Sequence, residues 1–265
     1  MIKTTLSFFK KILKFLRGFK YSPFSLHSRF KPNRLYSDFF VLNTKFARTF
    51  FIAENIYYLY EKKKFKVNHE FKFFDEEGKV LQKFTFTSNK LFSKILLPKI
   101  ESKAKYISFT HNSYNKIKKK YLNTNLSIQH RGYTIFHKKM ESLGAIIHGN
   151  TGSISPNKSF KSSMIQRNKL FVYTPIYKFS RKEKYDLVFN NPTNQRLEIK
   201  IFLDYFNLDK SNQKDCLIIE PYGTKFITIS KYEGSISFIS KLGICRCAVF
   251  KNPNIDDNNF DVFHS

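Results

Sequence analysis

The 265-residue chain contains no tryptophan, only three cysteines and only 20 acidic residues. An odd cysteine count does not fit a disulfide framework and suits a reducing compartment. No run of about 18 apolar residues occurs, so no transmembrane helix is predicted. The sequence also lacks a GxSxG turn and any recognised zinc-ligand spacing. We therefore predict no catalytic residues, no metal site and no cofactor.

The excess of basic residues is the most pronounced feature of the composition. Forty-seven lysines and arginines give a formal net charge of +27 at pH 7. A charge of this size favours an acidic partner, and nucleic acid, an anionic membrane surface and an acidic polymer all satisfy that condition. The sign of the charge alone does not choose among them.

The first 34 residues hold nine of the basic residues and no acidic one. Within them, residues 7–20 place apolar side chains at helical spacing, which predicts a basic amphipathic helix suited to a membrane interface. A helix docked on its own domain, a disordered basic arm and an organellar transit peptide are the alternatives. The predicted membrane contacts are Phe8, Lys10, Lys11, Ile12, Lys14, Phe15, Leu16, Arg17 and Phe19.

From residue 69 onward, apolar and polar residues alternate in short runs. Residues 69–75 and 79–87 alternate on either side of the glycine-containing turn 76–78, which predicts a β-hairpin. Further strands are predicted at residues 104–111, 184–190, 196–204, 216–220, 225–230, 234–240 and 244–251. The apolar segment 49–60 fits either a buried helix or a strand.

The two halves of the chain share a pattern of strands, with a proline between strands that we take to be paired. We therefore predict a mainly β protein with two tandem antiparallel β-sandwich modules, preceded by the basic amphipathic N-terminal helix. The expected boundaries are residues 1–36 for helix and linker, 37–140 for the first module and 141–265 for the second.

A glycine-rich segment at residues 144–152 is the clearest candidate for a binding loop. Its glycines permit backbone geometry that exposes amides, and His148, Gly149 and Asn150 offer polar groups to a ligand. Arg131 and Tyr133 lie upstream in an RGY motif. The alternative is structural, with the glycines forming turns and the imidazole satisfied by backbone groups.

Residues 37–55, the RGY motif at 131–133, the HGN motif at 148–150 and the closing FDVFHS resemble uncharacterised bacterial proteins associated with cell-surface polysaccharide or lipopolysaccharide gene clusters. The resemblance implies tandem β-sandwiches and a role beside glycan assembly, and it brings no catalytic residues. It adds Ser37 and Asp38 to the candidate ligand-binding residues.

The sequence thus predicts a non-enzymatic protein that binds a glycan or a partner in surface-polysaccharide assembly. The expected location is cytoplasmic, with residues 7–20 at the inner membrane face. An RNA-binding or ribosome-associated protein is the first alternative, because lysine and arginine interleave with phenylalanine and tyrosine. An enzyme centred on His148 is the second. The sequence leaves the oligomeric state open.

Overall fold

The computed structural model describes residues 34–55, 66–114, 132–139, 144–149, 170–174, 178–193, 195–203, 213–241, 246–257 and 259–264. Sixteen β-strands account for the regular structure in these ranges, and none of the described residues forms a helix. The alternation of apolar and polar residues explains this composition, since it matches the two-residue repeat of a strand.

Eight of the described strands lie in the first half of the chain. They are β1 (Arg34–Asn43), β2 (Arg48–Glu54), β3 (Val67–Phe74), β4 (Val80–Ser88), β5 (Phe92–Leu96), β6 (Tyr106–Tyr114), β7 (Gly132–His137) and β8 (Ala145–His148). Eight more follow in the second half: β9 (Phe171–Tyr173), β10 (Lys184–Asn190), β11 (Leu197–Leu203), β12 (Gln213–Ile219), β13 (Thr224–Ser230), β14 (Ile236–Ser240), β15 (Ala248–Lys251) and β16 (Asp261–His264).

The strands form four antiparallel sheets of four strands each. Sheet I has the order β1-β6-β3-β4, and sheet II has the order β5-β2-β7-β8. Sheet III has the order β12-β11-β14-β9, and sheet IV has the order β13-β10-β15-β16.

The strand order of the first half is repeated in the second. Adding eight to every strand number converts sheet I into sheet III and sheet II into sheet IV. Each element of the first half therefore has a topological equivalent in the second half, which allows the environments of equivalent elements to be compared directly.

Each half has its own apolar cluster. In the first, Phe40 stacks on Phe109 with ring centroids 5.1 Å apart and meets Phe51 edge-on at 5.0 Å, which joins sheet I to sheet II. Aromatic pairs of this kind add to the stabilisation from burial. The second cluster joins sheets III and IV, and its fully buried members include Leu187, Ile199 and Phe238.

A third apolar cluster joins the two halves. Tyr106 of sheet I lies 4.8 Å from Phe250 of sheet IV, measured between ring centroids. Phe136 of sheet II packs on the same ring at 5.2 Å. The remaining members are Val41, Phe46, Ala145, Ile147, Val188, Ala248 and Val262. Sheets I and IV are consequently buried on both faces where they meet.

Two turns complete the contact between the halves. The backbone amide of Thr224 donates to the carbonyl of Glu76 at 3.2 Å. Gly78 has a φ of +81°, and a Cβ atom at this position would lie 1.8 Å from the carbonyl oxygen of Pro221. Glycine is required here for both conformation and space.

The predicted fold class is wrong. The described chain is all-β and consists of four small sheets in a propeller-like arrangement, not two β-sandwich modules behind an N-terminal helix. Unlike the blades of a regular propeller, each sheet contains strands that are not consecutive in the chain. Alternation identifies strands locally, but it does not report which sheets share a core, and the third cluster is built from residues far apart in sequence.

Several strands were predicted correctly with the wrong neighbours. The hairpin of β3 and β4 is confirmed. The proline-containing connections do not join paired strands, because β12 pairs with β11 whereas β13 pairs with β10. Strand β10 also pairs with β15 and not with β11. Strand β8, which follows the predicted boundary at residue 140, adds to the sheet of the first half.

The predicted amphipathic helix at residues 7–20, with all of its membrane contacts, lies outside the described residues. In the ranges that are described, no helix has the length and apolar character needed to cross a bilayer.

Candidate ligand groove

The structure brings two of the predicted site residues together. Tyr133 of β7 and His148 of β8 are paired across the ladder in sheet II, and Gly149 follows directly. Ser37 and Asp38 belong to a different sheet, at an irregularity in the pairing of β1 with β6. Arg131 and Asn150 lie outside the described residues.

His148 is held by structural contacts. Its Nδ1 lies 2.9 Å from the carbonyl oxygen of Gly149, and its own carbonyl oxygen lies 2.8 Å from Nε2 of His264. The two imidazole rings are 4.2 Å apart. The space beside them measures about 10 Å³, which is room for one water molecule and not for a sugar. These contacts match the structural alternative for the glycine-rich segment.

The RGY motif also has a structural component. Gly132 is buried in β7, and a Cβ atom there would lie 1.9 Å from the ring of Phe51. The glycine is therefore needed so that the core phenylalanine of sheet II can pack against the backbone. Tyr133, the next residue, is exposed on the outer face of the same sheet.

A larger recess lies elsewhere, where the chain passes from the edge strand of sheet I to the edge strand of sheet II. This groove, which we call the β4–β5 groove, has a volume of about 410 Å³. Residues at the end of β4, the connection and the start of β5 form most of it. Its lining residues are Lys66, Phe86, Thr87, Ser88, Asn89, Lys90, Phe92, Ser93 and Lys94.

Local hydrogen bonds fix the floor of the groove. Ser88 and Ser93 are buried, and their hydroxyl groups are hydrogen-bonded to each other. The Ser88 hydroxyl also accepts from the backbone amide of Lys90 at 3.1 Å. On the rim, the hydroxyl of Thr87 donates to Oδ1 of Asn68 at 2.8 Å. The connection between the two sheets is therefore a structured turn.

The groove carries positive charge. Lys66, Lys90 and Lys94 are exposed, and none of the described residues that line the groove is acidic. The ammonium group of Lys94 lies 4.3 Å from the ring centroid of Phe50, a cation–π contact that holds it over the outer face of sheet II. Glu54 is cross-strand from Phe92, and burial raises the pKa of its carboxyl. The desolvation disfavours the charged form of this carboxyl.

Two phenylalanine side chains line the groove. Phe86 at the end of β4 is 37% exposed, and Phe92 at the start of β5 is 56% exposed. Such rings are available to a planar or apolar face of a ligand. The groove therefore combines aromatic surface, hydroxyl and amide groups and a local excess of lysine.

The connection from β4 to β5 has different surroundings from its equivalent in the second half. Its equivalent in the second half is the connection from β12 to β13, which packs against the first half. There the carbonyl oxygen of Tyr222 accepts from the hydroxyl of Ser108 at 2.7 Å, and its ring lies 5.7 Å from that of Phe74. No described residue of the second half lines the β4–β5 groove.

Sequence reasoning missed this groove because its residues lie at the end of a predicted strand and in the connection after it. The available signal was the segment TSNKLFSK at 87–94, in which Phe92 stands between two lysines. A large apolar residue in a polar segment indicates a binding surface when it does not pack into the core.

Among the described residues, no group of three or more histidine, cysteine, aspartate or glutamate side chains is placed to hold a metal ion.

A scan against protein-family models finds no matching family, and a search of curated proteins finds no relative. The geometry of the groove is therefore the basis for a functional proposal.

Proposed function

We propose that the protein is a binding protein for an acidic glycan, which it holds in the β4–β5 groove. The observation that carries the proposal is the lining of the groove, with three exposed lysines, two exposed phenylalanines and no acidic residue among those described. A sugar polymer with carboxylate or phosphate groups matches each of these features.

Each part of the lining has a role. Lys66, Lys90 and Lys94 attract the anionic groups, an interaction that salt screens. Phe86 and Phe92 offer ring faces to the C–H faces of the sugar rings. The hydroxyl of Thr87 and the amide side chain of Asn89, both exposed, supply the small number of directional polar contacts that fix orientation in a binding site.

Replacing the three lysines tests the proposal. We expect the triple variant Lys66→Gln, Lys90→Gln, Lys94→Gln to bind a fluorescent oligogalacturonate roughly tenfold more weakly, since each exposed ion pair contributes up to about 1 kcal/mol. Fluorescence anisotropy with the full chain measures this change. The same measurement with a neutral maltooligosaccharide of equal length should show little binding by either protein.

A matched control separates the groove from the overall charge. Lys182, Lys214 and Lys231 are exposed in the second half. The triple variant Lys182→Gln, Lys214→Gln, Lys231→Gln removes the same number of charges and should retain the affinity of the wild type. Equal losses in both variants would show that the net charge, and not the groove, attracts the oligomer, and absence of binding by the wild type would refute the proposal.

Single-stranded RNA is a second candidate, favoured by Phe86 and Phe92 beside the lysines. Proteins that bind single strands combine a basic groove with aromatic side chains on which bases stack. The variant Phe92→Ser should then weaken binding of an oligouridylate by about fivefold or more, since each stacked base contributes about 1–3 kcal/mol. Preference for oligouridylate over oligogalacturonate would assign the groove to RNA.

A further inference from the structure

Some of the exposed large apolar side chains lie on the outer faces of two sheets, and others lie elsewhere on the described surface. On the outer face of sheet II, the face turned away from sheet I, are Leu96, Tyr133, Ile146 and Phe92, which also lines the β4–β5 groove. On the outer face of sheet III, the face turned away from sheet IV, are Val172 and Ile218. We call these face II and face III.

Face II is a continuous surface across all four strands of its sheet. Phe50 of β2 is cross-strand from both Leu96 and Ile135, and Ile135 is cross-strand from Ile146. The ring of Phe50 also packs edge-on against His137 at 5.6 Å. Of this row, Leu96 and Ile146 on the two edge strands are exposed, whereas Ile135 is buried.

Face III also carries exposed apolar side chains. A recess of about 340 Å³ lies on it, lined by Ile218 and Ile239 with Glu198, Lys200 and Lys241 among the polar residues. Val172 of the edge strand β9 is cross-strand from Ile239, and half of its surface is exposed. Between Ile218 and Ile239, Glu198 and Lys200 of the interior strand β11 form an ion pair at 3.6 Å, so face III combines apolar side chains with paired charges.

The repeat identifies a partner for each face. Within the molecule, the outer face of sheet I packs on the outer face of sheet IV, through contacts such as Tyr106 with Phe250 and Phe226 at 4.8 and 5.0 Å. Sheet III is the equivalent of sheet I, and sheet II is the equivalent of sheet IV. Face III is therefore the equivalent of the face of sheet I that packs on sheet IV. Face II is the equivalent of the face of sheet IV that packs on sheet I.

We propose that the protein associates with itself head to tail, with face III of one copy on face II of the next, in a repetition of the internal contact between sheets I and IV. The occupant of each face is thus a second copy of this chain. The two faces are different surfaces, so the interface is heterologous and extends into an open chain or a closed ring.

The net charge of +27 sets the salt dependence of this association. Two copies with the same strong charge repel each other, and salt screens that repulsion. Self-association therefore strengthens as salt is added, whereas binding of an acidic glycan in the groove weakens. This opposite response distinguishes the two interactions.

Sedimentation velocity of the full chain tests the proposal. We expect the average mass of the wild type to rise above 31.5 kDa with concentration, and to rise further with salt. The single variants Ile146→Asp on face II and Val172→Asp on face III should each weaken self-association by about tenfold or more, since an unpaired charge buried in the interface is costly. Ile255→Asp, at an exposed apolar residue outside both faces, is the matched control and should behave as wild type.

Mixing the two variants gives the decisive result. Ile146→Asp retains face III and Val172→Asp retains face II, so an equimolar mixture should form one-to-one heterodimers and nothing larger. This recovery also shows that both variants are folded. A wild type that stays monomeric at all accessible concentrations and salt levels, variants that associate like the wild type, or a mixture that stays monomeric would each overturn the proposal.

Discussion

His69 and His111 form a buried pair in the core of the first half. Nδ1 of His69 lies 2.9 Å from Nε2 of His111, and both side chains are almost fully buried. The rings are packed among aromatic side chains, with His111 4.6 Å from Phe51. Burial lowers the pKa of His69 to about 4, so this imidazole is neutral in the folded protein at pH 7.

His69 makes the free energy of unfolding depend on pH. The pKa of His69 is below its ordinary value of 6.5, so the unfolded chain binds a proton that the folded chain excludes. Stability is therefore complete above about pH 6.5 and falls by roughly 2–3 kcal/mol as the pH drops to about 4. Denaturant titrations at a series of pH values measure this loss.

The double variant His69→Leu, His111→Leu isolates the contribution of the pair. Its stability should fall less between pH 6.5 and 4 than that of the wild type. A residual slope remains, because burial, followed by the charge of His148, also lowers the pKa of His264 to about 4. Identical slopes in both proteins would contradict the assignment.

At the scale of elements, β1 is a strand whose two faces pack into two different apolar clusters. Phe40 and Leu42 point into the cluster between sheets I and II, whereas Val41 belongs to the cluster that joins the halves. The four consecutive residues 39–42 are all buried. An antiparallel strand with one solvated face would alternate instead.

Truncation of Phe40 measures the importance of the first cluster. We expect Phe40→Ala to lower the free energy of unfolding by about 3–5 kcal/mol, because the cavity lies between two aromatic neighbours and cannot collapse fully. Thermal and chemical denaturation monitored by circular dichroism test this value. Lys83→Ala, at an exposed position of β4, should stay within about 0.5 kcal/mol of the wild type. A small effect of Phe40→Ala would contradict the packing described.

The same elements show how far sequence reasoning reaches. Alternation predicted the strands β3, β4, β10, β11 and β13, because side-chain period is a local property. The predicted strand pairing was wrong where the paired strands are far apart in sequence. Leu187 of β10, for example, is cross-strand from Ile227 of β13 and Val249 of β15. At the predicted binding loop, Tyr133 and His148 do share a face, but the surroundings of His148 depend on His264 at the other end of the chain, which no local pattern reports.

At the scale of the whole molecule, a buried carboxylate connects the two halves. Asp186 of sheet IV is fully buried and accepts hydrogen bonds from Tyr106 Oη at 2.8 Å, Lys105 Nζ at 2.7 Å and Thr228 Oγ1 at 2.7 Å. Burial, together with this carboxylate, raises the pKa of Tyr106 well above its usual range, so the phenol remains a donor. The third apolar cluster surrounds these groups, and the halves should unfold together.

Asp186→Ala tests this connection. It leaves Tyr106 and Lys105 without their acceptor, and we expect a loss of about 3–5 kcal/mol, as for other broken buried pairs. The wild type should unfold in one transition seen equally by far-ultraviolet circular dichroism and tyrosine fluorescence. Glu101→Gln, an exposed carboxylate, is the control. Separate transitions of the two halves in the wild type would show that they are independent units.

Hydrogen exchange of the full chain with and without oligogalacturonate tests the proposed groove most directly. Binding between the edges of sheets I and II should slow exchange at residues 86–94 and leave residues 225–241 of the second half unchanged. Slowed exchange confined to the second half, or no change at residues 86–94 when the oligomer is bound, would contradict a binding site in the β4–β5 groove.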